Sequence, residues 1–72
     1  MSKFIEVSNR YKKYFINVDN ISSIHSTDKD KYNTKVVFNN PIIVFSSKDG
    51  ATYEKSLLTI ESYDEIKALI TQ

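Results

Sequence analysis

Hydrophobic and polar residues alternate along most of the chain with the period of two that is typical of half-buried β-strands. This pattern predicts strands at residues 3–8, 12–18, 21–25, 34–38, 42–47 and 52–60. The segment 21–25 alternates poorly, and 42–47 is continuously apolar, as expected for a strand covered on both faces. The polar segment 26–33 is predicted to be the longest loop.

Three short polar sequences predict the tight turns: Asp19-Asn20, Asn39-Asn40-Pro41 and Asp49-Gly50. Asparagine tolerates a positive φ, and proline cannot donate to a strand ladder. The Asp-Gly pair is the strongest hairpin signal, because a type I′ turn requires a positive φ at both central residues.

After residue 60 the period changes to that of a helix. Ser62 and Glu65 have the spacing of a capping box, in which the serine hydroxyl accepts the backbone N–H of the glutamate. Ile66, Leu69 and Ile70 then follow at the i, i+3, i+4 spacing of a helix with one apolar stripe. A helix this short is not stable alone in water, so its stripe must pack on the sheet or on a second subunit.

These elements predict one domain over residues 1–72, of the α+β class and mainly β. Its five or six strands are expected in an antiparallel meander, open or barrel-like, with one C-terminal helix. A domain of 72 residues buries only about 60% of the surface of its unfolded chain, and without cysteine it has neither disulfides nor thiolate zinc sites. Self-association is the remaining ordinary source of stability. The predicted interface residues are Ile42, Val44, Ile66, Leu69 and Ile70.

The sequence NRYKKYF, residues 9–15, places cations among aromatic residues. Neighbouring side chains of a strand point to opposite faces, so Lys12 and Lys13 can act together only at the end of a sheet. In a meander the turn at 9–11, the loop 26–33 and the Asp-Gly turn would share one end. That end would hold seven cations and three anions, a net charge of +4. The candidate binding residues are Arg10, Tyr11, Lys12, Lys13, Lys29 and Lys31.

Two interpretations of this basic rim stay open. Turn lysines commonly keep loops soluble and protect strand edges from aggregation, and this is the favoured interpretation. A site for phosphate groups or for an acidic protein is the alternative, since cations interleaved with tyrosines suit single-stranded nucleic acid.

Candidate catalytic and metal-binding groups are few. His25 lies near Ser23, but no glycine-rich nucleophile turn accompanies them. Asp28-Lys29-Asp30 resembles the start of a calcium loop, although the fifth position is Tyr32 and no glycine follows. Glu54 and Glu61 flank the last strand in the manner of ordinary exposed glutamates. We therefore predict no enzymatic activity, no cofactor and no metal.

No stretch approaches the roughly 20 apolar residues of a membrane span, and none near residue 1 has the 7–15 apolar residues of a signal peptide. The sequence alone therefore predicts a cytoplasmic protein that does not associate with membranes.

Four stretches, FIEV, YFINVDNISSI, TKVVFNN and TIESYDEIKALI, resemble the small bacterial FlbD-like proteins, which take their name from flagellar operons. The matching residues are 4–7, 15–24, 34–40 and 59–70, about half of the chain. The chain departs from that pattern in lacking an Asn-Gly turn near residues 9–11 and in an added hairpin at Asp49-Gly50. The resemblance implies a small cytosolic accessory protein without catalysis. In architecture alone the chain is also similar to the carbon-storage-regulator RNA binders, which are intertwined dimers.

The resulting hypothesis is a non-catalytic bacterial or mobile-element protein, a homo-oligomer that binds another protein through an exposed strand edge or helix. The alternatives are a binder of nucleic acid or nucleotide phosphate, which is less favoured, and an inhibitor of a host protein.

Overall fold

The computed structural model describes residues 3–47 and 49–72. Along these residues run β1 (Phe4–Ser8), β2 (Lys13–Asn17), β3 (Ile21–Ser26), β4 (Thr34–Phe45), β5 (Ala51–Thr59) and helix α1 (Tyr63–Thr71). Strands β1 and β2 form an antiparallel hairpin, and β3, β4 and β5 form a second antiparallel sheet in that order. The prediction of a mainly β, α+β fold with a closing helix is confirmed.

The predicted single meander is wrong, because β2 and β3 belong to different sheets. At the predicted Asp19-Asn20 turn the chain forms a short 3₁₀ helix, Val18–Asn20, and the Asn17 side chain caps it by accepting the Asp19 N–H at 2.9 Å. This helix leads the chain out of the hairpin instead of folding β3 back against β2. Within residues 3–47 and 49–72 the strands therefore stay in two sheets and do not close into one.

Strand β4 joins two strands that the sequence predicts separately. The predicted turn at Asn39-Asn40-Pro41 lies inside this twelve-residue strand, at an irregularity in pairing between Val37 and Ile42. Pro41 is tolerated because a bulge leaves residues outside the regular ladder. The described chain therefore has five strands rather than six.

The hairpin at Asp49-Gly50 exists, but its turn differs from the prediction. The Ser46 N–H donates to the Gly50 carbonyl at 3.3 Å, and Gly50 does not have a positive φ. The strands are thus joined by a loop longer than a type I′ turn; Lys48 lies outside the described residues. Positive φ values occur instead in the loop before β4, at Asp30 (54°) and Lys31 (67°).

The core gathers residues from both sheets and from the helix, as strand and helix periodicity predict. Its buried members are Ile5, Val7, Tyr14, Ile16, Val36, Phe38, Val44, Leu57 and Ile66. On the hairpin they alternate with exposed residues, so β1 and β2 cover the core with one face and show the other to solvent.

Helix α1 begins as the capping box predicts, with the Ser62 hydroxyl accepting the Glu65 N–H at 3.2 Å. Ile66 is fully buried, and Leu69 and Ile70 pack half-buried against the core. The apolar stripe is thus largely covered by its own chain.

A polar cluster near the end of β5 joins the two sheets. The Ile60 N–H donates to the Ser8 carbonyl at 2.9 Å, and the Glu61 carboxylate accepts the Ser8 N–H at 2.9 Å and its hydroxyl at 2.7 Å. Beneath them, the fully buried Thr34 donates to the Glu61 carbonyl at 2.8 Å. Thr59, also fully buried, donates to the Thr34 carbonyl at 3.2 Å.

Candidate functional site

The turn between β1 and β2 is built around the side chain of Asn9, which is only 8% exposed. Its Oδ1 accepts the N–H groups of Tyr11 at 2.8 Å and Lys12 at 2.9 Å. Its Nδ2 donates to the Phe45 carbonyl at 2.6 Å and to the Tyr14 hydroxyl at 3.1 Å. This role was not predicted from the sequence, although an asparagine before a turn is a recognised signal for such bonds.

Arg10 ties this turn to the loop before β4. Its guanidinium donates to the Asp30 carbonyl and lies 4.1 Å from the centre of the Tyr32 ring. The Arg10 N–H also faces the Tyr32 hydroxyl at 3.4 Å. Part of the hydrogen-bonding capacity of the Arg10 guanidinium is therefore used within the chain, by the carbonyl of Asp30, which has a positive φ.

Two of the three predicted connections, the turn at 9–11 and the loop 26–33, meet around one cleft of about 610 Å³; of the third, neither Asp49 nor Gly50 lines it. The cleft is lined by Asn9, Arg10, Tyr11, Asp30, Lys31, Tyr32, Ser46, Leu57 and Leu58. The turn at 9–12 contacts both ends of β4: Asn9 donates to the Phe45 carbonyl at 2.6 Å, and the Arg10 N–H faces the hydroxyl of Tyr32, two residues before the strand begins. The irregularity between Val37 and Ile42 is consistent with a bend in this strand, because a bulge bends the strand that contains it.

The candidate cations do not form one continuous patch. Arg10 and Lys31 line the cleft together with Tyr11. The ammonium of Lys12 instead lies 4.7 Å from the centre of the Phe45 ring. Lys13 is exposed on β2 and lines a different groove. Lys29 is exposed in the loop and is not among the residues lining either space.

The predicted interface residues pack in or against the hydrophobic core. Val44 is 7% exposed and Ile66 0%, so neither can contact a second subunit without unfolding. Ile42, Leu69 and Ile70 are half-buried against the same core. In the described residues the large apolar side chains that are mostly exposed are others, namely Phe4, Phe15, Ile43, Tyr53 and Ile60, together with Tyr11 in the cleft.

Several of these exposed residues line a groove between β2 and β4, which we call the β2/β4 groove. Its volume is about 410 Å³ and its walls are Phe4, Lys13, Tyr14, Phe15, Ile16, Asn17, Asn20, Ile42 and Ile43. Phe15 is 75% exposed, although it lies in the middle of a strand. Strand alternation places Phe15 on the face opposite the core, which is the signal that the sequence analysis could have used.

The candidate catalytic side chains form hydrogen bonds with neighbouring residues. His25 is exposed, and its Nε2 lies 2.9 Å from the Ser23 hydroxyl on the same strand. The Glu61 carboxylate is bound by Ser8, and that of Glu54 accepts the Thr52 hydroxyl at 2.9 Å. In residues 3–47 and 49–72 no three histidine, aspartate or glutamate side chains are grouped so that they could hold a metal.

Over the described part of the chain, no helix has the length and apolar character needed to cross a membrane. No family model, no curated protein and no solved structure matches the chain. The resemblance to FlbD-like proteins therefore rests on the four stretches quoted above, and it stays a prediction.

Proposed function

We propose that the protein is a non-catalytic, homo-oligomeric protein-interaction module. The observation that carries this proposal is the bare edge of β5. From Ala51 to Lys55 every residue is exposed, and β5 is the outer strand of its sheet. An exposed strand edge presents unpaired N–H and C=O groups to any second strand that can align with it.

Among the exposed residues Ala51–Lys55, Tyr53 is the large apolar side chain, next to the charged Glu54 and Lys55. Tyr53 is 74% exposed and pairs across the ladder with the exposed Ile43, which gives the strand an apolar patch. Two copies of β5 related by a two-fold axis would bury both tyrosines and join two three-stranded sheets into one of six strands. This arrangement replaces the interface that the sequence analysis places on Val44 and Ile66.

Self-association is tested by light scattering coupled to size-exclusion chromatography at about 100 μM protein. We expect a dimer for the natural sequence and a monomer for Tyr53→Lys, because the change removes the apolar side chain and adds a second lysine, besides Lys55, to the edge strand. Ile60→Lys is the matched control, since Ile60 is also an exposed apolar residue but lies outside β5. A natural sequence that is monomeric, or a control that dissociates equally, would contradict the proposal.

A second candidate, binding of nucleic acid or nucleotide phosphate, is favoured by one observation: Arg10, Tyr11 and Lys31 line the same cleft. Its test is fluorescence anisotropy with a labelled single-stranded oligonucleotide over a salt series. Lys31→Glu should weaken binding while Lys29→Glu has a smaller effect. Absence of any salt-sensitive binding would remove this candidate.

The bacterial or mobile-element origin, the cytoplasmic location and the inhibition of a host protein stay predictions from the sequence.

A further inference from the structure

We propose that the β2/β4 groove binds one extended peptide segment of a partner protein, which enters as a strand between β2 and β4. The segment is apolar on both faces and carries an acidic residue at the end near Lys12 and Lys13. This inference rests on the proposed function as an interaction module, and it adds the partner chemistry and the place of binding.

One wall of the groove is an unpaired edge of β2. In an antiparallel pair, residues bonded to the partner strand alternate with residues whose N–H and C=O groups point away from it. The Val18 N–H donates to the Lys3 carbonyl at 2.9 Å, which sets this alternation. The backbone groups of Lys13, Phe15 and Asn17 therefore point away from β1, towards the groove.

The other wall is the second half of β4. The Ser46 N–H donates to the Gly50 carbonyl at 3.3 Å, so the backbone groups of Ile43 and Phe45 point away from β5. Strand β3 does not reach them, because its described pairing with β4 ends at Phe38. Residues of both unpaired edges, Phe15 of β2 and Ile43 of β4, line the groove.

At both ends of the groove, side chains rather than a neighbouring strand form hydrogen bonds with the backbone of β4. At one end the Tyr14 hydroxyl accepts the Phe45 N–H at 2.9 Å, and Asn9 donates to the Phe45 carbonyl at 2.6 Å. At the other, the Asn20 amide accepts the Asn40 N–H at 2.9 Å and donates to its carbonyl at 3.0 Å. Between these bridges the backbone groups of β4 that an extended peptide can pair with are the N–H and C=O of Ile43, since Pro41 has no N–H.

The dimensions suit a single strand. Strands β2 and β4 are not paired with each other, and the whole Tyr14 side chain lies between β2 and the Phe45 N–H, so they lie further apart than the ~4.8 Å that separates neighbouring strands. The five steps from Asn40 to Phe45 span about 17 Å in an extended strand, and residues 41–44 between the two bridged ends form the open part of this wall. An entering segment needs both edges free, so β5 of a second copy cannot occupy the groove: its inner edge is already paired with β4.

The side chains around the groove define the chemistry of the segment. One face of an entering strand would meet the buried Tyr14 and Ile16, and the other would lie beside Phe15 and Ile43. Both faces therefore need apolar residues. Lys12, held over the Phe45 ring, and Lys13 make the Phe45 end positive, which favours a carboxylate there.

The first experiment selects a phage-displayed library of random linear heptapeptides on the full-length protein. We expect enrichment of apolar sequences with an aspartate or glutamate near one end. The strongest peptide is then synthesised, and binding is mapped by amide chemical shifts and measured by anisotropy. The largest shifts should fall at Phe15 and Ile43, and replacing the acid in the peptide by lysine should weaken binding at least tenfold.

Two sets of variants make the test specific. Lys13→Glu should weaken the acidic peptide at least fivefold, whereas Lys29→Glu, at another exposed lysine, should leave binding unchanged. Methylation of the central amide that donates to the Ile43 carbonyl, or of a central amide that faces β2, should abolish binding, because both edges of the strand are bonded. A peptide that adds to one edge only would tolerate every second methylation.

The outcomes separate this inference from the proposed function. The groove inference is overturned by a lack of peptide enrichment, by chemical shift changes confined to β5, or by tolerance of every second methylation. Light scattering on the same samples shows independently whether the chain still self-associates. If the selected peptide dissociates a dimer by occupying the groove, the groove is the contact between copies, and the inference is likewise overturned.

Discussion

Replacement of Asn9 by alanine tests whether one buried amide holds the candidate surfaces in place. The change removes two bonds that Asn9 donates, to Phe45 and Tyr14, and two that it accepts, from Tyr11 and Lys12. Water can replace the accepted bonds because Tyr11 and Lys12 are exposed. The donated bonds lie at or close to the buried interior, where each lost bond costs about 1 kcal/mol and an unpaired carbonyl costs 1–3 kcal/mol. We expect the free energy of unfolding to fall by about 3 kcal/mol.

Urea denaturation followed by circular dichroism measures this loss. Asn33→Ala is the matched control, because the Asn33 side chain also donates to a backbone carbonyl at 2.6 Å, that of Ile60, but from an exposed position. The control should lose less than about 1 kcal/mol, since water replaces an exposed bond. Equal losses in the two variants would refute the view that burial of the Asn9 amide stabilises the join between the hairpin and β4.

Two further substitutions probe single features of the fold. Lys31→Gly should raise the free energy of unfolding by about 0.5–1 kcal/mol in urea denaturation, because Lys31 has a φ of 67° that costs a non-glycine residue roughly 1–2 kcal/mol. The control is Lys29→Gly, at a residue without a positive φ, which should not raise it. A gain in both variants would contradict the positive φ as the cause. Glu61→Gln should lower the free energy of unfolding by about 1.5 kcal/mol, because both hydrogen bonds to Ser8 lose their charged acceptor. Thermal melting measures this loss, with Glu54→Gln, at an exposed carboxylate, as the control; equal melting temperatures of the two variants would contradict the prediction.

Arg10 illustrates why a basic sequence does not by itself define a nucleic-acid site. The sequence predicts a free cation at the end of a sheet, but the structure shows its guanidinium on the Asp30 carbonyl and above the Tyr32 ring. A phosphate would have to share these donors or displace them. The same contact positions Lys31 at the cleft, so the residue stabilises the loop whether or not the cleft binds an anion.

Local patterns predicted much of the secondary structure. Alternation placed Ile5, Val7, Tyr14 and Ile16 on one face of the hairpin, and the capping box placed the start of α1 at Ser62. These features depend on neighbours within a few residues, which is why a single sequence contains them. The same alternation places Phe15 on the opposite, exposed face, so its exposure could have been predicted from the sequence.

Tertiary structure alone decided which strands pair and which surfaces stay open. The continuity of β4 through Pro41 depends on its pairing with β3 and β5, and the cleft and the β2/β4 groove depend on the side chains of Asn9 and Asn20 reaching residues of β4. These contacts join residues 20–36 positions apart. The alternation of hydrophobic and polar residues involves only near neighbours in the sequence, so it does not predict contacts over such separations. The bonds themselves form only once the two sheets have packed together.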